Sequence, residues 1–341
     1  MNSVTRSIRG RCRRSLLGAL GLCCGIGLAV APVDPHAAGA TGAGTRTDDG
    51  AVLSRTVERG WPTVRAAWTR KRMAAAIPLD LTVGGSAVGT PTPADSRAVA
   101  RQADAVPTGP KARVPRSVGK LFFSDGDLDY VCSAAAIRSP RRNLILTAGH
   151  CVHTGPNPSG IPVIGSLIDQ PRFFSDWVFV PRYRNGRKPF GKWRARTAYV
   201  TRGWAENESF ARDQAVIKLR KRAGKKLVDV VGGNEVRLGV RPAKKRTRIW
   251  GWPAAAPYQG RRAWRCDGRT KRINSAGANR DASLRCTMTG GSSGGPWMLK
   301  RRGAKRGPIW AVTSRSVSAK PRLIAHPLGR VVRKMVRAAN P

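Results

Sequence analysis

The chain has 341 residues, 41% hydrophobic and 24% charged, which excludes a disordered polymer and leaves length enough to bury a core. Lys and Arg number 63 against 19 Asp and Glu, a formal net charge of +44. The basic residues come in short clusters such as Lys244-Lys245-Arg246 and Arg301-Arg302 without a nucleic-acid-binding motif, so they read as a solvated surface open to non-specific contact with anionic surfaces, and specific nucleic-acid recognition is not expected.

The chain opens like an exported one. Arg6, Arg9, Arg11, Arg13 and Arg14 form a basic start, 15–31 is small and apolar, and Ala38-Gly39-Ala40 offers a small-residue cleavage site. Residues 1–40 therefore read as a signal peptide, and the protein as secreted. Arg13-Arg14-Ser15-Leu16-Leu17 is similar to a twin-arginine signal, and both export routes stay open. The apolar run is too short and glycine-rich for a permanent anchor, so no membrane span is expected in the mature form. Lipidation is not expected, because Leu22 and Cys23 stand where a small residue would precede a modified cysteine. Residues 41–117 are rich in Ala, Thr, Gly, Pro and Arg, and read as a propeptide or flexible extension of low order. Trp61 to Leu81 leaves room for one short helix.

From Val118 the texture changes. Short runs rich in β-branched and aromatic residues recur between turn signals, among them 121–123, 130–137, 143–147, 177–180, 197–200, 215–219, 249–252, 297–299 and 309–312. Many short strands at near-regular spacing mean an all-β sandwich or barrel. The end differs: Val331, Val332, Met335 and Val336 share one helical face, which predicts a C-terminal helix over about 327–339. The acidic run Asp125-Gly126-Asp127-Leu128-Asp129 reads as a hairpin turn. A calcium loop of this register would want Gly at 130 and Glu at 136, where Tyr130 and Ala136 stand. Beyond the signal there are four cysteines, Cys132, Cys151, Cys266 and Cys286, an even number that reads as disulfides with three connectivities open. No Cys-x-x-Cys pair supports a zinc site, and no metal or cofactor is expected.

Three stretches carry chemistry. Thr147-Ala148-Gly149-His150-Cys151 follows the apolar strand 144–146, Asp213 precedes the strand 215–219, and Ser293 sits in Gly290-Gly291-Ser292-Ser293-Gly294-Gly295-Pro296. Acyl transfer by serine needs a hydroxyl, a base to take its proton, an acceptor to hold the base and donors for the oxyanion. These stretches supply one candidate for each, with Asp176 as the reserve acid.

In the order His, Asp, Ser, these motifs resemble those of the chymotrypsin-like serine peptidases over about 118–341, and in detail the secreted bacterial branch that includes the glutamyl endopeptidases. The resemblance implies two antiparallel six-stranded β-barrels, about 118–201 and 220–325, bridged by the Asp213 segment, with the second closed by the C-terminal helix. It implies Ser293 as nucleophile, His150 as general base, Asp213 as its partner, and the N–H groups of Gly291 and Ser293 as the oxyanion hole. Placement beside the catalytic loops then favours Cys132–Cys151 and Cys266–Cys286 pairing. The expected enzyme is a monomeric serine endopeptidase acting on polypeptides.

The implied specificity pocket is walled by 286–290 and 312–316, including Thr287, Gly290, Thr313, Ser314 and Arg315. Thr287 stands six before the nucleophile, where preference for Arg or Lys would need a carboxylate. Arg315 would favour an acidic substrate side chain if turned inward, but a long cation ordinarily keeps its head in water. Two rival readings compete with this one. Gly291-Ser292-Ser293-Gly294-Gly295 also fits the elbow of an α/β-hydrolase, but no Asp or Glu follows Ser293 to serve that fold's chain order. A catalytically silent basic binding protein on the same fold is the alternative function.

Overall fold

A computed structural model describes residues 50–57, 68–79, 82–83, 106–107, 114–156, 170–275, 278–300, 307–317 and 321–341. All of them fall in the second of two units of the chain, Thr47–Pro341. The expected signal peptide with its cysteines, and most of 88–113, lie outside the described residues.

The N-terminal extension contributes β1 (Val52–Thr56), α1 (Arg70–Ala75) and three two-residue strands, β2 (Ile77–Pro78), β3 (Thr82–Val83) and β4 (Val106–Pro107). A first barrel follows: β5 (Val118–Asp125), β6 (Leu128–Ile137), β7 (Leu144–Thr147), β8 (Ser175–Pro181), β9 (Trp193–Thr201), the short helix α2 (Arg202–Ala205) and β10 (Ala215–Leu219). Its strands pair in the order β9-β10-β7-β6-β5-β8, and β8 pairs back to β9, so the sheet closes. Closure removes the edges that would otherwise need protection. Leu121, Phe123, Ile145, Trp177, Phe179 and Trp193 fill the interior.

Here the structure corrects the expected boundaries. The Asp213 segment does not merely bridge two barrels. Its strand β10 bonds to both β7 and β9 and is the sixth stave of the first. Ala215, Val216, Ile217 and Leu219 are all buried, as a strand with neighbours on both sides requires.

After α3 (Leu227–Val231), the second barrel comprises β11 (Arg246–Gly251), β12 (Trp264–Arg269), β13 (Lys271–Ser275), β14 (Ala278–Arg285), β15 (Pro296–Leu299), β16 (Ile309–Val312), β17 (Arg315–Val317) and β18 (Arg322–Ala325). They form two sheets, β16-β15-β11-β12 and β13-β14-β18-β17, with β4 and β3 at their edges. Besides the loop 286–295, the chain bends directly from a strand of one sheet into a strand of the other at Thr270 and at Thr313-Ser314. Each of these two bends joins two strands into one bent stave, so eight strands make six staves.

The C-terminal helix α4 (Arg330–Ala339) packs on β9, β10 and β1 rather than closing the second barrel. Its buried stripe of Val331, Val332, Met335 and Ala339 joins the cluster that contains Tyr199 and Val216. That cluster also holds Phe122, Val131, Trp250, Trp252, Met298 and Val312, and cements the two barrels together.

Two parts of the stretch expected to be of low order are ordered against the first barrel. β1 pairs antiparallel with β9 along its whole length, from Val52 opposite Thr201 to Thr56 opposite Thr197. Trp68 and Met73 are buried in the inter-barrel cluster. Arg72 donates to both carboxylate oxygens of Asp129 at 2.7 and 2.8 Å and lies 4.1 Å over the Trp68 ring. Burying one large apolar side chain stabilises by roughly 1.5–3 kcal/mol, which explains how short polar segments are held. The 125–129 run is the expected hairpin: β5 and β6 pair from Asp125 opposite Leu128, and Asp125 bonds Arg172 at 2.7 and 2.8 Å.

Cys132–Cys151 and Cys266–Cys286 are disulfide-bonded, as placement favoured, with partners 19 and 20 residues apart. Loops of this size stabilise by roughly 3 kcal/mol each in the chain-entropy picture.

Lys120 is the one buried lysine among the described residues. Its ammonium donates to Gly260 O at 3.1 Å and lies 5.0 and 5.2 Å from the Phe122 and Tyr183 rings. Burial pushes its pKa down from 10.5 to about 7. Below about pH 7 the folded chain bears the full penalty of a buried charge. Between about 7 and 10.5 the unfolded chain holds a proton that the folded chain lacks, so stability rises with pH across that window. Lys120→Met is therefore expected to be more stable than the parent below pH 7 and to lose that rise. Urea unfolding across the pH range checks it; an unchanged slope would contradict the reading.

Candidate active site

The site is assembled where the two barrels meet. β7 ends at Thr147, and the chain turns through a single 3-10 turn, Gly149–Cys151, that carries His150. Asp213 comes two residues before β10, whose pairing with β7 sets Ala215 opposite Thr147. The register thereby brings Asp213 to His150. The Asp213 carboxylate accepts from the His150 backbone N–H at 2.9 Å and contacts Nδ1 at 2.9 and 3.1 Å. Both side chains are fully buried. Ser314 Oγ donates to Asp213 Oδ2 at 2.6 Å. Burial by itself would raise the Asp213 carboxyl, but the His150 charge and the bonds from His150 and Ser314 outweigh it and hold the pKa below the usual range. Asp213 is thus an anion that fixes the imidazole's orientation. Asp176 points elsewhere, with its carboxylate 3.9 Å from Arg72.

Gly149 is required for this closeness. A methyl group there would come within 2.9 Å of the Trp204 ring and 3.1 Å of Asp213 Oδ1. Trp204, on α2, covers the imidazole at 5.9 Å between ring centres and donates from Nε1 to His153 O at 3.0 Å. His153 itself is kept neutral: burial first, and Arg172 second, lower its pKa to about 4, and its Nδ1 accepts from the Gly155 N–H.

Ser293 reaches the site through the second barrel. Ser133, on β6, donates its N–H to Ser293 O at 2.7 Å and its hydroxyl to Gly291 O at 2.9 Å. Ser133 follows Cys132, and Cys132 is bonded to Cys151 beside His150, so a short covalent path from His150 ends at the residue whose hydrogen bonds hold the Ser293 loop. Gly294 packs against Thr147 and Ala148; a methyl group there would lie 2.1 Å from Thr147 Oγ1, and its φ of +75° also calls for glycine. His150 Nε2 is buried with no hydrogen-bond partner among the described residues, the Ser293 hydroxyl included. Such contacts often tighten only with substrate bound.

The Gly290 carbonyl accepts from Ala254 and Ala255 at 2.6 and 3.3 Å. Among the described residues the N–H groups of Gly291 and Ser293 donate to no protein acceptor. Two neighbouring backbone donors left unengaged in a loop where both residues are buried are what an oxyanion would need.

Among the remaining pocket candidates, Arg315 departs from expectation. Thr287 Oγ1 bonds the Tyr258 hydroxyl at 2.7 Å, and Thr313 Oγ1 accepts from Trp297 Nε1 at 3.0 Å, so neither hydroxyl is idle. Arg315 does not keep its head in water. It is 1% exposed, stacks 4.2 Å over Phe210 and pairs with Asp281 at 2.5 Å. Arg315 Nη1 also contacts Ser314 Oγ at 3.3 Å, and His326 Nδ1 lies 2.8 Å from the other Asp281 oxygen. A fully buried carboxylate neutralises the cation, which is the condition for its burial. The sequence does not single out Asp281, Ser133 or Trp204, and it offers Ser314 as a pocket residue, not as a hydrogen-bond donor to Asp213. Cys132, His150 and Cys151 cluster within metal-binding distance, but the two sulfurs are bonded to each other and cannot ligate.

No protein-family model matches the chain, and no curated protein does. Solved structures do. The protease Anisep from Arthrobacter nicotinovorans is 30% identical with a TM-score of 0.57, over 66% of this chain and 95% of that one. The thermostable serine protease AL20 from an extremophilic microorganism is 28% identical with a TM-score of 0.57, over 66% and 96%. A Glu endopeptidase shares the fold at 16% identity and a TM-score of 0.52, over 69% and 95%.

Proposed function

The chain belongs to the chymotrypsin-like serine proteases, and from that premise we propose that it is a secreted serine endopeptidase working through Ser293, His150 and Asp213. The observation that carries this reading is the grip of the Asp213 carboxylate on both the N–H and Nδ1 of His150, which leaves the buried Nε2 unpartnered beside the serine loop. In the proposed sequence Ser293 Oγ attacks the scissile carbonyl carbon while Nε2 takes its proton. The Gly291 and Ser293 N–H groups receive the oxyanion. Nε2 then gives the proton to the departing amine, leaving an acyl-enzyme, and water repeats the steps to release the acid. The unengaged loop N–H groups favour this over a silent binding protein, which has no use for them.

Secretion is supported by the basic, apolar N-terminus and by two disulfides, which persist in oxidising compartments. Among the described residues no helix is long and apolar enough to cross a membrane. If a propeptide is removed, segments 50–57 and 68–79 stay with the barrel, because they complete its surface and core.

The pocket walls 286–290 and 312–316 contain no Asp or Glu, so a substrate Arg or Lys would enter unpaired. Arg315 is already neutralised by Asp281 and offers no spare cation to an acidic side chain. Cleavage is therefore expected after uncharged residues. Profiling with a mixed peptide library decides it; dominant cleavage after Arg or Lys would sink this reading of the pocket.

A further inference from the structure

The first barrel carries a second concave site. A cavity of about 640 Å³ is lined by eight residues, of which six are Arg141, Arg196, Lys218, Arg220, Lys221 and Lys226; the other two are Asn143 and Leu219. Lys and Arg are 63 of 341 residues, fewer than one in five, so six in eight is a concentration beyond the general basicity of the chain. No carboxylate lines the cavity. Arg220 is engaged by the Val57 carbonyl, and Arg141 donates to Pro341 O at 2.7 Å. Among the described residues, Arg196, Lys218, Lys221 and Lys226 have no ion-pair or side-chain hydrogen-bond partner. Burial, then repulsion from Arg196 and Arg141, depresses the Lys218 pKa.

Like charges converging in a hollow destabilise the empty fold, and low-dielectric walls focus their field outward. An anion relieves both. The volume lies in the range of small-molecule sites and is too large for one inorganic ion. Six of the eight lining side chains are cationic, so affinity would come chiefly from charge-assisted hydrogen bonds. We propose that this cavity binds a small polyanion bearing several tetrahedral oxyanion groups, phosphate or sulfate. The site is built on the machinery of the barrel. Lys218 and Leu219 end the strand that Asp213 precedes, about 16 Å away along the backbone, and Asn143 precedes the strand that leads to His150. A ligand there would clamp β7 and β10 against each other at the end away from the catalytic residues.

The test uses the full mature chain with Ser293→Ala, so that binding is read without catalysis and its outcome is independent of the proposed activity. Titration calorimetry and thermal unfolding are run with sodium tripolyphosphate and, separately, a trisulfated disaccharide, each against sodium chloride at matched ionic strength. Saturable one-to-one binding of either, with the melting temperature raised by about 5–10 °C at a hundredfold excess over Kd, is expected. Binding of tripolyphosphate identifies a phosphate compound, and binding of the disaccharide alone a sulfated one. Lys218→Gln with Lys226→Gln should weaken Kd at least tenfold, while Lys244→Gln with Lys245→Gln, which removes the same charge elsewhere, should not. No binding beyond the salt control, or equal weakening by both pairs, would overturn the proposal.

Discussion

Ser293→Ala is expected to lower kcat/KM on a peptide substrate by about 10⁴- to 10⁶-fold while leaving the melting temperature unchanged. The size follows from what the hydroxyl does. Without it no acyl-enzyme forms, and only binding and the Gly291 and Ser293 N–H groups remain to assist water. The fold is indifferent to the change, because the loop is held by its backbone. Ser133 bonds the carbonyls of Gly291 and Ser293, and Gly294 N–H donates to Thr313 O at 2.7 Å. Ser292, one position earlier, is a useful contrast. Its hydroxyl donates to Thr289 O at 2.6 Å and braces the turn, so Ser292→Ala should cost stability before chemistry. Steady-state kinetics with circular dichroism on both variants separates the two roles. Full activity in Ser293→Ala would end the assignment.

Asp281→Asn is expected to destabilise the protein by about 3–5 kcal/mol, the cost of leaving a buried guanidinium without its counter-charge. Arg315 is sealed between Phe210 and Asp281 and cannot turn to solvent without vacating the core. Replacing the pair together, Asp281→Leu with Arg315→Met, should recover most of that loss, since an apolar pair needs no compensation. His326 is partly exposed and can turn to water once Asp281 is gone. Activity should separate from stability in the double variant. Arg315 touches Ser314 Oγ, which in turn donates to Asp213, so removing the cation alters the support of the Asp213 carboxylate. Urea unfolding of Asp281→Leu, of Arg315→Met and of the double variant supplies the coupling. Additive losses would show that Arg315 and Asp281 do not act as a unit.

What could be read from sequence divides by distance along the chain. The His150 and Ser293 neighbourhoods announce themselves because their requirements are local: glycines where backbone must approach, a cysteine beside the base, an apolar strand before it. Contact between Asp213 and His150 depends on the pairing of β7 with β10, which the apolar runs 144–146 and 215–219 anticipate without fixing their register. The Asp281–Arg315–His326 cluster was beyond reach. Its members are 34 and 45 residues apart and meet only when β14, β17 and β18 form one sheet. The rule that a long cation keeps its head in water then pointed Arg315 the wrong way. The extension misled for a related reason. Trp61 to Leu81 leaves room for a short helix, and α1 lies there, but nothing local says that Trp68 and Met73 will anchor it, because the inter-barrel cluster that receives them forms only in the fold. The helix at the end was recognised by its periodicity, but periodicity says nothing of which barrel its face will meet.

Labelling of the purified mature protein by a fluorophosphonate tests the central claim most directly. Only a serine activated by a neighbouring base is phosphonylated at an appreciable rate, and the adduct can be located by mass spectrometry of the digest. The proposed triad predicts stoichiometric modification at Ser293, lost in Ser293→Ala and strongly slowed in His150→Ala. A folded protein that remains unmodified, or one modified at another serine, would contradict it.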